Sequence, residues 1–352
     1  MSIKLARSAL GSIAAAAAVV LALAPATLAA DVSNTVALKK AGDTRLRLDA
    51  KTGTTLRNLG IAVTPVKPSR VARGAVVFPI TSGRVDPKLV DGALINHSGG
   101  LRLASGRTRV DLRNFRIRIT SSQATISAAV GRTRATIINL DLSKAKITRP
   151  ALNLRIRNVG VRLNATGASA LNEAFGTRAF KRGLKLGTAV VNARLAQLVV
   201  ESGDTELTLD AGTLGVITGA GFTPGIVAPA TLNATVATFP IVKSKIAANL
   251  TSGVISHTGG LSFTMGGSTT TATDFDITLS ANPTIAASVN GALPKAAILN
   301  LDLSDLRQTV TRRTITLRGI VARINTTLAN VLGLPSADGA TLGTAVVTAN
   351  VR

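Results

Sequence analysis

Apolar and polar residues alternate over long stretches of this chain. Leu152, Leu154 and Ile156 are interleaved with Asn153, Arg155 and Arg157, and Phe115, Ile117 and Ile119 with Arg116 and Arg118. A period of two sends successive side chains to opposite faces and predicts strands with one buried and one solvated face. Val110 and Leu112 run in the opposite phase from Phe115, which predicts a bulge or bend near Asn114. Three stretches break the alternation and read as short helices: residues 166–175 before Gly176, their counterpart 326–332 before Gly333, and a segment around 54–59 before Gly60. A glycine just past the last helical residue is a stop signal, because it takes the left-handed conformation without strain. The pattern as a whole predicts a mostly β fold, antiparallel and sandwich- or barrel-like, with one or two short helices per domain.

The pattern also repeats. Gly42-Asp43-Thr44 with Leu46, Leu48 and Asp49 returns as Gly203-Asp204-Thr205 with Leu207, Leu209 and Asp210. Phe78-Pro79-Ile80 returns as Phe239-Pro240-Ile241, and His97-Ser98-Gly99-Gly100-Leu101 as His257-Thr258-Gly259-Gly260-Leu261. Asn139-Leu140-Asp141-Leu142-Ser143 returns as Asn300-Leu301-Asp302-Leu303-Ser304, and Leu186-Gly187-Thr188-Ala189-Val190-Val191 as Leu342-Gly343-Thr344-Ala345-Val346-Val347. The offset stays at 160 or 161 residues until the last block, where it is 156. Blocks in one order at a nearly constant spacing mean a tandem duplication. A unit of about 155 residues is domain-sized, so two modules are expected, residues 31–197 and 203–352, joined by a short linker.

Residues 1–30 read as a signal peptide: Lys4 and Arg7 precede an apolar run over 9–23, and Pro25 leads into small residues with cleavage after Ala29 or Ala30. The run is shorter than the roughly 20 residues a membrane-spanning helix needs. The expected location is therefore outside the cytoplasm, secreted and associated with the cell surface. The chain has no cysteine, so no disulfide framework supports it there. With eight Phe and no Trp or Tyr, its cores must be built from Val, Ile, Leu and Ala.

Charge separates the two modules. Residues 42–197 hold 28 Lys plus Arg against 7 Asp plus Glu, and residues 203–352 hold 9 against 8. Where the first copy has Arg116 and Arg118, the second has Asp276 and Thr278. Both copies share the fold, so the excess charge of the first serves its surface. Arg113, Arg116, Arg118, Arg155 and Arg157 are the candidate contacts to an anionic cell-envelope polymer or surface; a merely solvated basic face is the alternative. Specific nucleic-acid recognition is not expected, since single-strand binders add aromatic stacking platforms that this chain lacks.

The two histidines, His97 and His257, stand at the same place in the two copies. They are candidate ligand-binding residues, together with Gly99, Gly100, Gly259 and Gly260. The alternative is that each imidazole pins the glycine turn that follows it. One histidine per module is too few donors for a structural zinc site. Asp43, Asp49 and Asp141 are too scattered to nominate an acid pair, and no nucleophile elbow, phosphate loop or cysteine nucleophile is present. A non-enzymatic role is expected.

The segment Phe239-Pro240-Ile241 with Gly253-Val254-Ile255-Ser256-His257-Thr258-Gly259-Gly260-Leu261, and its first-copy match around Phe78-Pro79-Ile80 and Leu94 to Leu101, resembles the middle of HtaA-type domains. The resemblance covers about a quarter of each repeat. It implies secreted or surface-bound β-rich modules of Gram-positive actinobacteria, often in tandem, that bind haem for iron uptake. A tyrosine ligates the iron in that family, supported by a histidine, and His97 and His257 match the histidine element. This chain has no tyrosine. Three functions are therefore carried forward: a surface binding protein whose basic module contacts an anionic partner, an HtaA-like haem binder, and a structural or adhesive repeat protein.

Overall fold

A computed structural model describes residues 34–89, 92–149, 152–311 and 313–351. Residues 1–30, read above as a signal peptide, lie outside them. The first module runs β1 (Val36–Leu48), α1 (Ala50–Asn58), β2 (Ala62–Val66), β3 (Arg70–Ala72), β4 (Ala75–Val85), β5 (Ala93–His97) and β6 (Gly100–Ser105). It continues through β7 (Thr108–Ile119), β8 (Ala124–Val130), β9 (Thr133–Asp141), β10 (Lys146–Thr148), β11 (Asn153–Leu163), α2 (Ala165–Phe175) and β12 (Lys185–Leu195). The second repeats this order: β13 (Gln197–Leu209), α3 (Ala211–Gly219), β14 (Thr223–Val227), β15 (Thr231–Asn233), β16 (Val236–Ile241), β17 (Ser244–Ala247) and β18 (Gly253–Ser256). It ends with β19 (Gly260–Met265), β20 (Ser268–Leu279), β21 (Thr284–Val289), β22 (Ala296–Asp302), β23 (Arg307–Val310), β24 (Thr314–Ile324), α4 (Thr326–Val331), a 3₁₀ turn (Pro335–Ala337) and β25 (Thr341–Val351).

Each module is a closed antiparallel barrel. In the first, the order β7-β5-β4-β1-β12-β11-β9-β8 returns to β7 through the β7–β8 pairing. In the second, β20-β18-β17-β13-β25-β24-β22-β21 closes through β20–β21. Closure removes the open edges of the ring strands, while β2, β3 and β10 of the first module, and β14, β15 and β23 of the second, lie outside the ring. The expected phase change occurs at Asn114, which takes φ +50° where the β7–β8 register shifts between Arg113 and Arg116. The first half of β7 pairs with β6, outside the barrel, and the second half pairs with β5 and β8. Asp274 makes the same bend in the second copy, at φ +55°.

The alternating residues fall as the period dictates. Phe115, Ile117, Ile119, Leu154 and Ile156 are buried, while Arg116, Arg118, Arg155 and Arg157 face solvent. Repeated polar residues terminate elements: Asp49 and Asp210 accept backbone N–H bonds at the starts of α1 and α3, and Asn164 and Asn325 do so for α2 and α4. α1 begins earlier than the glycine stop alone indicates, because Asp49 sets its start and the stop signal sets only its end.

Residues 198–202, which separate the two modules in the sequence, are part of β13. Leu198, Val199 and Val200 are almost wholly buried and pair with β17. Across the junction Ala196 donates its N–H to the Ala37 carbonyl at 2.8 Å, and Ala248 donates to the Ala196 carbonyl at 2.9 Å. Arg149 donates Nη2 to the Val351 carbonyl at 2.8 Å. The two barrels therefore meet through strand and share one apolar core around Leu198 and Val199.

Candidate functional site

The last residue of β5, His97, points into the first barrel. A carbonyl oxygen can only accept, so the 3.1 Å contact between Nδ1 and the Phe115 carbonyl places the ring proton on Nδ1. Nε2 then accepts from the Thr44 hydroxyl of β1 at 2.7 Å. The second copy repeats both bonds at the same distances, with Phe275 and Thr205 around His257. Burial pushes each imidazole down from 6.5 to about 4, against the smaller upward pull of the carbonyl bond. Both rings are thus neutral at physiological pH. Phe78 and Phe115 close the wall beside His97 edge to face, with centroids 5.2 Å apart.

The glycines after the histidine stand behind it and outside the cavity lining described below. Gly99 has φ +78°, and a Cβ there would strike Ser69 and the Val66 carbonyl. At Gly100 a Cβ would overlap the Leu112 carbonyl. Gly259 and Gly260 are confined in the same way by Ala230 and the Ala272 carbonyl. The requirement at these positions is for close backbone approach.

Beside His97 the first barrel is hollow. A cavity of about 390 Å³ runs from Thr44, Phe78 and His97 towards α1 and α2, and its wall is almost entirely apolar. Its polar side chains are few, and four of them are already committed: Thr44 and His97 to each other, Thr52 to the Lys185 carbonyl at 2.6 Å and Thr133 to the Val130 carbonyl at 3.1 Å. Lining residues Leu48, Thr133, Thr166, Ala170 and Ala174 also reach the protein surface. The equivalent space in the second barrel, beneath His257 and Phe275, is about 30 Å³.

Two exchanges from a smaller to a larger buried residue accompany the difference. Leu103 of β6 corresponds to Phe263, which is buried in the second core. Gly167, three residues after the capping Asn164, corresponds to Leu328, three residues after Asn325; Leu328 is buried as well. In the first module Leu56, Ile61, Leu103, Leu171 and Phe180 form an apolar cluster of their own under α1 and α2. In the second, Ile217, Phe222, Phe263 and Leu328 belong to the main core. Both exchanges are visible once the repeats are aligned. What they leave empty is not, because a cavity depends on how the helices settle.

No protein-family model and no curated protein matches the chain. Solved structures do: the C-terminal domain of HtaA from Corynebacterium glutamicum aligns at 14% identity and a TM-score of 0.38, over 44% of this chain and 99% of that one. A domain-swapped dimeric variant of the same domain aligns at 18% identity and a TM-score of 0.32, over 42% and 91%. The chain is weakly similar to HtaA. The HtaA-type motif also led to the expectation of haem, whose iron needs an axial donor with a free lone pair. The chain has no tyrosine or cysteine, and in both modules Nδ1 carries a proton while Nε2 is taken by a threonine hydroxyl. As arranged, neither HtaA-like histidine fits iron ligation.

The candidate arginines divide into two groups on the outer wall. Arg116 and Arg118 lie on β7, with Arg116 donating Nε to Asn96 Oδ1 at 2.9 Å. Arg155 and Arg157 lie on β11, opposite Thr148 and Lys146. Arg113 differs from both groups: it pairs with Asp111 at 3.1 Å, and Arg102 holds the same carboxylate at 2.6 Å. Those two guanidiniums bring Asp111 down to about 2. Among the described residues no helix is long and apolar enough to cross a membrane.

Proposed function

We propose that this is a non-enzymatic, extracytoplasmic binding protein whose first barrel takes up an apolar molecule beside His97. The observation that carries the reading is the contrast between a hollow and a filled copy of one barrel in one chain. A volume of about 390 Å³ lies within the range of small-molecule sites, and a wall with few uncommitted polar groups selects against polar occupants. The second barrel acts as the packed scaffold of the pair. The basic outer wall of the first module serves attraction to an anionic surface.

The experiment is a fluorescence titration of residues 31–352 with a neutral apolar dye such as N-phenylnaphthylamine. Saturable binding at one equivalent is expected, and Leu103→Phe, which imports the residue of the filled copy, should weaken it by about tenfold or more while preserving the fold. Binding that ignores Leu103→Phe, or no binding, overturns the reading. A haem titration tests the second possibility, and no His97-dependent Soret shift is expected because Thr44 occupies Nε2 and Nδ1 carries the proton given to the Phe115 carbonyl. A Soret shift lost in the His97→Ala variant would overturn that expectation.

A further inference from the structure

The outer wall of the first barrel holds a pair of like charges where the second barrel holds an ion pair. In the second module Asp276 of β20 and Lys295 meet at 2.9 Å. Alignment of the repeats places Arg116 at the position of Asp276 and Arg134 at that of Lys295. Their surroundings change with them. Ser127, the cross-strand partner of Arg116, replaces Ala286, and Asn96 replaces Ser256. All four positions thus differ between copies of one fold.

The two arginines flank Ser127 of β8, Arg116 from β7 and Arg134 from β9. Arg134 reaches back along β8 to donate Nη1 to the carbonyl and the hydroxyl of Ser127, both at 3.3 Å. Arg116 is fixed from its other side by Asn96, whose own amide donates to Ser82 Oγ at 3.0 Å. Partial burial, and then the charge of Arg116, push Arg134 below the ordinary arginine value. Among the described residues no carboxylate pairs with either side chain, and Asp111, further back on β7, is already held by Arg102 and Arg113. Like charges on the two strands flanking β8 repel, and an anion placed between them relieves that repulsion.

We propose that Arg116 and Arg134 form a phosphate-type oxyanion site on the outer wall of the first barrel, completed by the Ser127 hydroxyl. A tetrahedral oxyanion presents several acceptors at once, which matches two guanidinium forks on either side of a hydroxyl donor. Each arginine keeps N–H groups unused by Asn96 and Ser127, because each has five donors. The same chemistry is offered by free phosphate and by the phosphodiester of a lipid headgroup. The inference does not rest on the cavity reading.

The test uses the Nε–H and backbone resonances of Arg116, Ser127 and Arg134 in residues 31–352, titrated with inorganic phosphate at fixed ionic strength. Saturable shifts confined to these residues are expected. The double variant Arg116→Asp/Arg134→Lys installs the ion pair of the second module and should weaken phosphate binding about tenfold or more, the equivalent of at least one lost charge-assisted hydrogen bond. Arg155→Ser/Arg157→Ser removes the same two units of net charge elsewhere on the wall and should leave binding unchanged. Equal loss in both variants, or shifts spread over all exposed arginines, overturns the proposal in favour of diffuse charge. Co-sedimentation with phosphatidylglycerol vesicles identifies the source: loss in the swap variant alone assigns a lipid headgroup, and vesicle binding indifferent to the swap assigns free phosphate.

Discussion

Thr44 and His97 stand 53 residues apart in the chain and on different strands, yet the threonine hydroxyl donates to the imidazole Nε2 at 2.7 Å in a site closed to solvent. Thr205 and His257 make the same bond at the same distance. The two repeated motifs, Gly-Asp-Thr and His-x-Gly-Gly, are therefore halves of one interaction across the barrel. Thr44→Val keeps the volume and removes the donor, leaving Nε2 buried without a partner. It should cost about 1–3 kcal/mol of stability, and Thr44→Ser should recover most of it. Equilibrium urea unfolding measures both, and an unchanged midpoint for the valine variant would refute the bond.

Acid should weaken the protein before its carboxylates respond. His97 and His257 titrate near 4 when folded and near 6.5 when unfolded. Between those values the unfolded chain binds protons that the native state refuses, so stability falls as pH drops from about 6.5 to about 4 and is level above 7. Each ring contributes up to about 3 kcal/mol over that window. Asp43, Asp49, Asp141 and Asp302, all held below the usual carboxylate value, add their loss only at lower pH. Urea midpoints at pH 7.5, 5.5 and 4.5 decide the matter, and a flat series would contradict the burial of neutral histidines.

Gly100→Ala should cost about 2–3 kcal/mol or prevent folding, since the new methyl has no room beside the Leu112 carbonyl. Gly106→Ala, in a turn with open space around it, should cost about 1 kcal/mol from its left-handed backbone alone. Thermal melts of the two variants compare the effects directly. Equal small losses would return Gly100 to the list of ligand-contacting candidates.

The junction gives a fourth expectation. A fragment beginning at Gln197 retains the strand that pairs with β17, whereas one beginning at Gly203 lacks it. The longer fragment should resist limited proteolysis, and the shorter should be cut between β16 and β18. Equal resistance would show that residues 197–202 are dispensable for closing the second barrel.

How much of this could be read from the chain depends on the range of each interaction. Strand phase, the bend at Asn114 and the helix stops are local, and the burial of Phe115, Ile117, Leu154 and Ile156 follows from alternation alone. Duplication made His97 and His257 prominent, but nothing near them in sequence points to Thr44. Charge counting exposed the basic module without distinguishing Arg113, which is tied to Asp111, from Arg116. Arg134, on β9, escaped notice because its meaning lies in what replaces it in the other copy. The short stretch between the modules looked like a linker, although Leu198, Val199 and Val200 continue the apolar run of a buried strand.

The bend at Asn114 has a consequence for how the hollow barrel communicates with water. Beyond Arg113 and Ala129 the β7–β8 ladder stops, and the start of β7 turns away to β6. Val110 and Leu112 on one side, Val130 and Thr133 on the other, and Thr166, Ala170 and Ala174 of α2 all border the cavity there. The staves of this barrel thus part at one place. At this window, framed by three elements and edged by the small residues of α2, the lining of the hollow barrel reaches the surface.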